Sequence, residues 1–497
     1  MFVISKMEPS IRTFLMFYIL GYVYGKQIAP NIIVILTDDQ DVTLKGLAPM
    51  VKTQQFIANE GATFTNAFTS SPICCPSRSS ILSGQYTHNT RTHNNSYSGG
   101  CYGDYWRSTV EPQNFPVKLQ QAGYKTFYAG KYLNQYMSKV IPPGWNEWYG
   151  LYGNSIYYNY TLNENGRSVS YSEEYLTDLL RNKTLDFISN AETSEPFFAM
   201  VAPPAPHAPY TAAQRHQHMF PEIYAPRTKN FNIPCNSLEK HWLLTMPPSP
   251  LPNNILESID DIYRKRWQSL MAVDEMVEAI AMLLERKNIL QNTFVIYTSD
   301  NGYHLGQFSQ PYDKRQPYET DIRVPFLIRG PNIAPKSLIS SPVALFDIAP
   351  TIFDLAGLEI PSRMDGESIM PKLLQTSIKE RQILIEYWGE GNVNTYNSEC
   401  PWQKKDKLYL CTLDAVCHCQ DSWNNTYNCV RHLAEDVDFI YCEFMDNEHF
   451  AEAYDLTNDL YQIQNVAFEI LPSARAKYSL ALTNLTQCMG ESCRQIY

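Results

Sequence analysis

"NIIVILTDD", residues 31–39, holds an unbroken apolar run from Ile32 to Leu36 and then two aspartates, Asp38 and Asp39. Apolar residues at every position, instead of at every second one, describe a strand buried on both faces. "NTFVIYTSDN" (292–301) repeats the design and ends in Thr298, Ser299, Asp300 and Asn301. Before it, residues 264–287 place Leu270, Val273, Val277, Ile280 and Leu284 on one helical stripe. A helix feeding a buried strand is the signature of α/β winding. "GYKTFYAGK" (123–131) and "PFFAMVAPPAPH" (196–207) read as two more strands. The expected fold is therefore a large, mostly parallel sheet flanked by helices. Ligands bind beyond the carboxyl ends of such strands. Here those ends deliver Asp38 and Asp39, Lys131, His207, and Asp300 with Asn301.

The rest of the chain bounds this reading. Its 497 residues allow a large catalytic domain over 26–375 and a smaller α+β domain over 376–497, opening with the strand "RQILIEYWG" (381–389). The Pro-rich stretch 203–252 reads as a surface excursion framing a pocket, and "LFDIAPTIFDLAGL" (345–358) as an amphipathic helix. Net charge is -11 with no basic stripe, which speaks against a nucleic-acid partner. An anionic substrate would need a locally basic pocket. Residues 1–25 carry Lys6, Arg12 and a short apolar core ending at Gly25, the pattern of a secretory signal peptide. That run is shorter than the ~20 residues of a spanning helix, so no membrane span is expected in the mature chain. Eight of twelve cysteines fall between Cys400 and Cys493, which implies a disulfide-stapled C-terminal region in an oxidising compartment. Asn159, Asn182, Asn424 and Asn484 sit in glycosylation sequons; a fifth, at Asn94, is close to the chemistry described next.

"SSPICCPSRSSILSG" (70–84) opens a helix with Pro76 in its first turn, so Cys74 stands at a helix N-terminus, where negative charge is favoured. Asp38, Asp39, Asp300 and Asn301 form an all-oxygen donor set suited to a hard divalent ion, Ca²⁺ first and Mg²⁺ second. Arg78, Lys131 and Lys314 would supply positive charge nearby. His207, between prolines in "PAPHAPY", is expected in a stiff extended loop as a general acid.

Cys74-Cys75-Pro76-Ser77-Arg78 matches the C-x-P-S-R signature of the sulfatase family. "AGK" (129–131), "PHAPY" (206–210), "TSDNGYHLGQ" (298–307) and "DKRQPYETDIRVP" (313–325) follow in family order. "YAGKYLNQY", "ILIEYWGEGN" and "NNTYNCVRHLAEDVDFIYCEF" are most similar to the lysosomal members that remove 6-O-sulfate from N-acetylglucosamine units of heparan and keratan sulfate. The resemblance implies that a formylglycine-generating enzyme converts Cys74 to formylglycine, Cys75 being the variable position. It also implies a metal site of Asp38, Asp39, residue 74, Asp300 and Asn301. Arg78 would support the nucleophile, Lys131 and Lys314 would bind the sulfate, and His207 would protonate the leaving sugar. One departure stands out: Leu133 occupies the place of a family histidine, leaving His304 as the substitute for its proton-handling role. The rival readings are a 6-O-endosulfatase, a phosphodiester or phosphonate hydrolase on the same scaffold, and a non-catalytic glycan-binding protein.

Overall fold

In the computed structural model, which describes residues 29–192, 194–235, 239–374, 378–392 and 397–497, the opening run forms the strand Asn31–Thr37 inside a 10-stranded sheet. The expected signal peptide lies outside the described residues. Five neighbouring strands of the sheet run parallel: Thr293–Ser299, Asn31–Thr37, Phe197–Ala202, Lys125–Lys131 and Glu147–Leu151. Phe326–Arg329 pairs antiparallel with Thr293–Ser299 and with Ala62–Phe64, which in turn takes Ser337–Ile339 in parallel. On the other flank Tyr160–Glu164 and Arg167–Tyr171 continue antiparallel from Glu147–Leu151. The sheet is mixed, with its parallel part in the middle.

Both faces of the central strand are covered. Ile32, Val34 and Leu36 pack in one apolar layer with Ile81, Ile348 and Ile352. Ile33 and Ile35 pack in the other with Leu270, Val273, Val277, Ile280 and Leu284 of the helix Asn253–Arg286. This is why the run carries no polar alternation. Register then fixes the site, because Thr37 pairs with Ser299 and both aspartate-bearing ends leave the sheet together. Gly130 makes a further adjustment before Lys131. Its φ is +116°, and a Cβ there would lie 2.0 Å from the Ala202 carbonyl oxygen.

The C-terminal part is built on a four-stranded antiparallel sheet in the order Arg381–Tyr387, Tyr427–Ala434, Val437–Phe444, Ala451–Asp455. The strand expected at 381 is its edge. All eight of its cysteines pair locally: 400 with 417, 411 with 419, 429 with 442, and 488 with 493. No helix among the described residues is long and apolar enough to cross a membrane. The two parts share a core in which Phe68, Tyr86 and Phe346 meet Leu384, Val430 and Tyr441.

A charged contact crosses the same boundary. His88 Nδ1 lies 3.0 Å from Glu386 Oε2, and Nε2 lies 3.0 Å from the Cys488 carbonyl. Two acceptors on two ring nitrogens require the imidazolium. Burial pulls its pKa down, but Glu386 outweighs burial and raises it to about 9. The stabilisation is complete below the unfolded pKa of about 6.5 and is lost as pH rises through about 9, an effect of about 3 kcal/mol. Denaturant titrations at pH 6 and pH 9.5 should therefore show the wild type losing stability by this order. The His88→Ala variant should start lower and lack that slope.

Candidate active site

The helix Cys74–Ser83 is buried along its whole length, and its N-terminus faces the ends of the two acidic strands. Asp38 and Asp39 are wholly buried, as are Lys131, Asp300 and Asn301. Asp39 adopts φ +65°, a left-handed conformation uncommon for a residue other than glycine. Its N–H donates to Asp300 Oδ1 at 3.0 Å, which locks the turn. Around these acids the cations are placed one by one. Lys131 Nζ lies 2.6 Å from Asp38 Oδ2, and Lys314 Nζ lies 2.6 Å from Asp39 Oδ2. Arg78 Nε donates to Asp300 Oδ2 at 2.8 Å and Nη1 to the Lys131 carbonyl at 2.8 Å. Cys74 Sγ stands 3.5 Å from Asp38 Oδ1 and 3.9 Å from Asp39 Oδ1. His207 Nε2 is 3.7 Å from Asp39 Oδ2.

Three buried carboxylates and three buried cations leave this cluster close to neutral before anything binds. Burial would raise Asp38, but Lys131, His207 and Arg78 outweigh it and hold its pKa well below the usual carboxylate range. Burial and the neighbouring Asp38 charge push Asp300 up to about 7. Burial pushes the Cys74 thiol up to about 12, so the unmodified side chain is no thiolate. Burial, then Lys314, holds His207 down at about 4. Its Nδ1 donates to the Ala208 carbonyl at 2.6 Å, so Nε2 is the nitrogen turned to the site.

Asp38, Asp39, Cys74 and His207 offer ligand atoms within 4.8 Å of one another, a group that could hold a metal ion. The buried Asn301 Oδ1 has no hydrogen-bond partner, while Nδ2 donates to Asp39 Oδ1 at 2.7 Å. An orphaned amide oxygen beside clustered carboxylates fits a hard cation.

The structure brings together Cys74, Arg78, Lys131, His207, Lys314, Asp38, Asp39, Asp300 and Asn301. Asp300 is engaged differently from its strand partners, with one oxygen on backbone N–H groups and the other on Arg78. His304 stands apart. Its Nδ1 is bound to Asp321 at 3.0 Å, and its backbone bridges Asp313 beside Lys314. Leu133 is fully buried among Tyr132 and Tyr136. The loop of His207 is not extended: His207 N–H turns back to the Pro204 carbonyl and Tyr210 N–H to the His207 carbonyl, both at 3.0 Å. Nor is Cys75 an idle position, because it is disulfide-bonded to Cys101. Two residues were missed. Ser155 Oγ donates to Asp38 Oδ2 from a loop without any motif. Arg266 donates to the Asp39 carbonyl and to Asp41, and a signal for it existed: it continues the apolar stripe of its helix as a charged residue on the buried face.

A cavity of about 760 Å³ opens over Asp39, His207 and Lys314. The loop 94–98 walls it from within the first part, and Gly389–Asn392, Tyr409 and Gln420 from the C-terminal part. Asn94 lines it too, with its Oδ1 accepting from Ser96 N–H and Oγ.

A buried Cys-x-Pro-Ser-Arg helix start thus stands against paired acidic strand ends and is flanked by lysines. The chain is a member of the sulfatases, whose family model matches residues 30–358. It is 45% identical over 479 residues to the N-acetylglucosamine-6-sulfatase of Homo sapiens, covering 94% of this chain and 86% of that protein. It is 34% identical over 534 residues to the putative extracellular sulfatase Sulf-1 homolog of Caenorhabditis elegans, covering 95% and 74%. Its fold resembles the solved structure of BT4656 in complex with its substrate D-glucosamine-2-N,6-O-disulfate, with a TM-score of 0.68 at 24% identity, over 92% and 97% of the two chains. The phosphonate monoester hydrolase SpPMH from Silicibacter pomeroyi shares the fold too, with a TM-score of 0.66 at 19% identity over 93% and 96%. The fold alone therefore hosts more than one ester class. Near full-length identity separates them, and the chain is a sulfatase, a hydrolase of sulfuric esters.

Proposed function

We propose that this chain removes the 6-O-sulfate from N-acetylglucosamine units of heparan and keratan sulfate, working in the lysosomal lumen after entry through the secretory pathway. The likeness to N-acetylglucosamine-6-sulfatases carries this reading, because it extends over 94% of the chain and so includes the C-terminal residues that wall the cavity. We place the catalytic domain at 26–375 and the second domain at 376–497. Glycans are assigned to Asn159 and Asn182, which are exposed, and to Asn424 and Asn484, which are partly so.

Conversion of Cys74 to formylglycine by the formylglycine-generating enzyme would supply, on hydration, one hydroxyl to attack sulfur and a second to release sulfate. Ca²⁺ held by Asp38, Asp39, Asp300, Asn301 and residue 74 would supply the charge that acidifies that hydroxyl. The chain's own residues do the rest. Arg78, anchored on Asp300, faces the nucleophile's side of the cluster. Lys131 and Lys314 hold sulfate oxygens, and the near balance of fixed charges means that the added ion makes the site a net anion receptor. His207 delivers a proton from Nε2 to the departing sugar oxygen. His304 is assigned to holding the loop of Lys314 through Asp313 and Asp321.

Desulfation of 6-sulfated N-acetylglucosamine, run beside iduronate 2-sulfate and galactose 6-sulfate, tests the substrate. Turnover of either of the latter in preference to the first would refute it. The same assay tests His207. A histidine held near pKa 4 is protonated less as pH rises, so turnover of the sugar ester should peak on the acid side. His207→Ala should cost about 10²-fold or more on the sugar. It should cost far less on an activated aryl sulfate, whose leaving group needs no proton. Equal losses would leave His207 without the acid role.

A further inference from the structure

The catalytic helix begins without a cap of its own. Its N-cap position is Ile73, which has no side-chain acceptor, and the first N–H groups of a helix need partners. One comes from far along the chain: Cys75 N–H donates to Asn95 Oδ1 at 2.9 Å. Asn95 is itself held in place. Gln135 Nε2 donates to its carbonyl at 2.8 Å, and the Cys75–Cys101 disulfide ties its loop to the same helix turn. Because a backbone N–H fixes which end of the side chain is oxygen, the amide orientation is determined. Nδ2 is left with no protein acceptor among the described residues, on a residue that lines the cavity. Asn94, Ser96, Ser98, Asn134 and Asn154 line it as well. Such a wall of amides and hydroxyls is chemistry for a polyhydroxylated ligand.

We infer that Asn95 is a substrate-specificity residue, with its Oδ1 capping the helix that carries residue 74 and its Nδ2 donating to an oxygen of the sugar bearing the sulfate. The inference rests on the sulfatase reading and adds to it a contact beside the reacting ester. It also gives the adjacent cysteines separate duties. Cys74 is left free for chemistry, and Cys75 fixes the specificity loop at a distance of one residue.

The test compares Asn95→Asp and Asn95→Ala with the wild type on two esters, 6-sulfated N-acetylglucosamine and an aryl sulfate. Aspartate keeps the capping oxygen and loses the donor; alanine loses both. Added negative charge acts on the sulfate common to both esters, so the ratio of the two kcat/KM values isolates the sugar contact. That ratio should fall at least about 10-fold in both variants. The melting temperature should drop by a few degrees only in Asn95→Ala. Calorimetric binding of N-acetylglucosamine 6-sulfate, measured in a Cys74→Ala background and weaker with either Asn95 substitution than without it, reads the contact without turnover. A wild type that binds this sugar but hydrolyses neither ester would count against the proposed activity and not against the contact. An unchanged ratio with unchanged binding, or an equal thermal loss in both variants, would overturn the inference.

Discussion

Cys74→Ala and Cys74→Ser should each lose turnover by on the order of 10⁴-fold or more while folding and leaving the cell normally, as read by initial rates on sulfate esters and by secreted yield. The expectation of normal folding follows from the structure. Cys74 takes part in no disulfide, and its sulfur lies beside the carboxylates of Asp38 and Asp39. The expectation of lost turnover follows from chemistry. A thiol pushed up to about 12 by burial is no thiolate, and serine offers only one hydroxyl where the proposed mechanism uses two. Mass measurement of the peptide bearing residue 74 should show formylglycine in the wild type. The neighbouring Cys75→Ala is the control. It removes a structural bridge closing a separation of 26 residues, for a cost of about 3 kcal/mol, and retains the nucleophile. Activity retained in Cys74→Ala and abolished in Cys75→Ala would move the reacting position by one residue.

Much of this is legible in the sequence alone, for a definite reason. A strand buried on both faces cannot hide its pattern, so Ile32–Leu36 and Phe294–Tyr297 announced a covered sheet, and the polar residues that ended them could only lie at its carboxyl edge. What stayed hidden depended on contacts between distant segments. Asn95 is the middle residue of the sequon at Asn94, and nothing local says that its oxygen meets the N–H of Cys75. Ser155 reaches Asp38 across 117 positions of sequence. The prolines around His207 suggested an extended loop, whereas the chain makes two successive turns that a composition argument cannot distinguish. The antiparallel flanks of the sheet were illegible for a similar reason. Strands such as Arg167–Tyr171 are largely exposed and carry no apolar run.

The second large effect concerns the ion. Purified protein should contain one Ca²⁺ per chain by elemental analysis, Mg²⁺ being the next expectation, and dialysis against a chelator should abolish sulfatase activity until the ion is restored. Three carboxylates share one dry cluster, and burial, then the neighbouring Asp38 charge, raises Asp300 to about 7. The cations present are already used: Lys131 holds Asp38, Lys314 holds Asp39 and Arg78 holds Asp300. The orphaned Asn301 oxygen adds a neutral donor that none of them satisfies. Oxygen donors of this kind select a hard ion, so zinc in the purified protein, or no metal at all, would overturn the assignment. Ion binding should also be visible in stability, since a ligand at a hundredfold excess over its Kd stabilises by about 2.7 kcal/mol. Asp39→Asn separates the two roles of the site. It removes one charge from the metal cluster and frees Lys314 from its partner, so Ca²⁺ affinity should fall together with the Ca²⁺-dependent thermal shift, and activity should fall by about 10²-fold or more. If Asp39→Asn lost activity but kept the thermal shift intact, Asp39 would be a partner of Lys314 only, and the ion would have to rest on Asp38, Asp300 and Asn301.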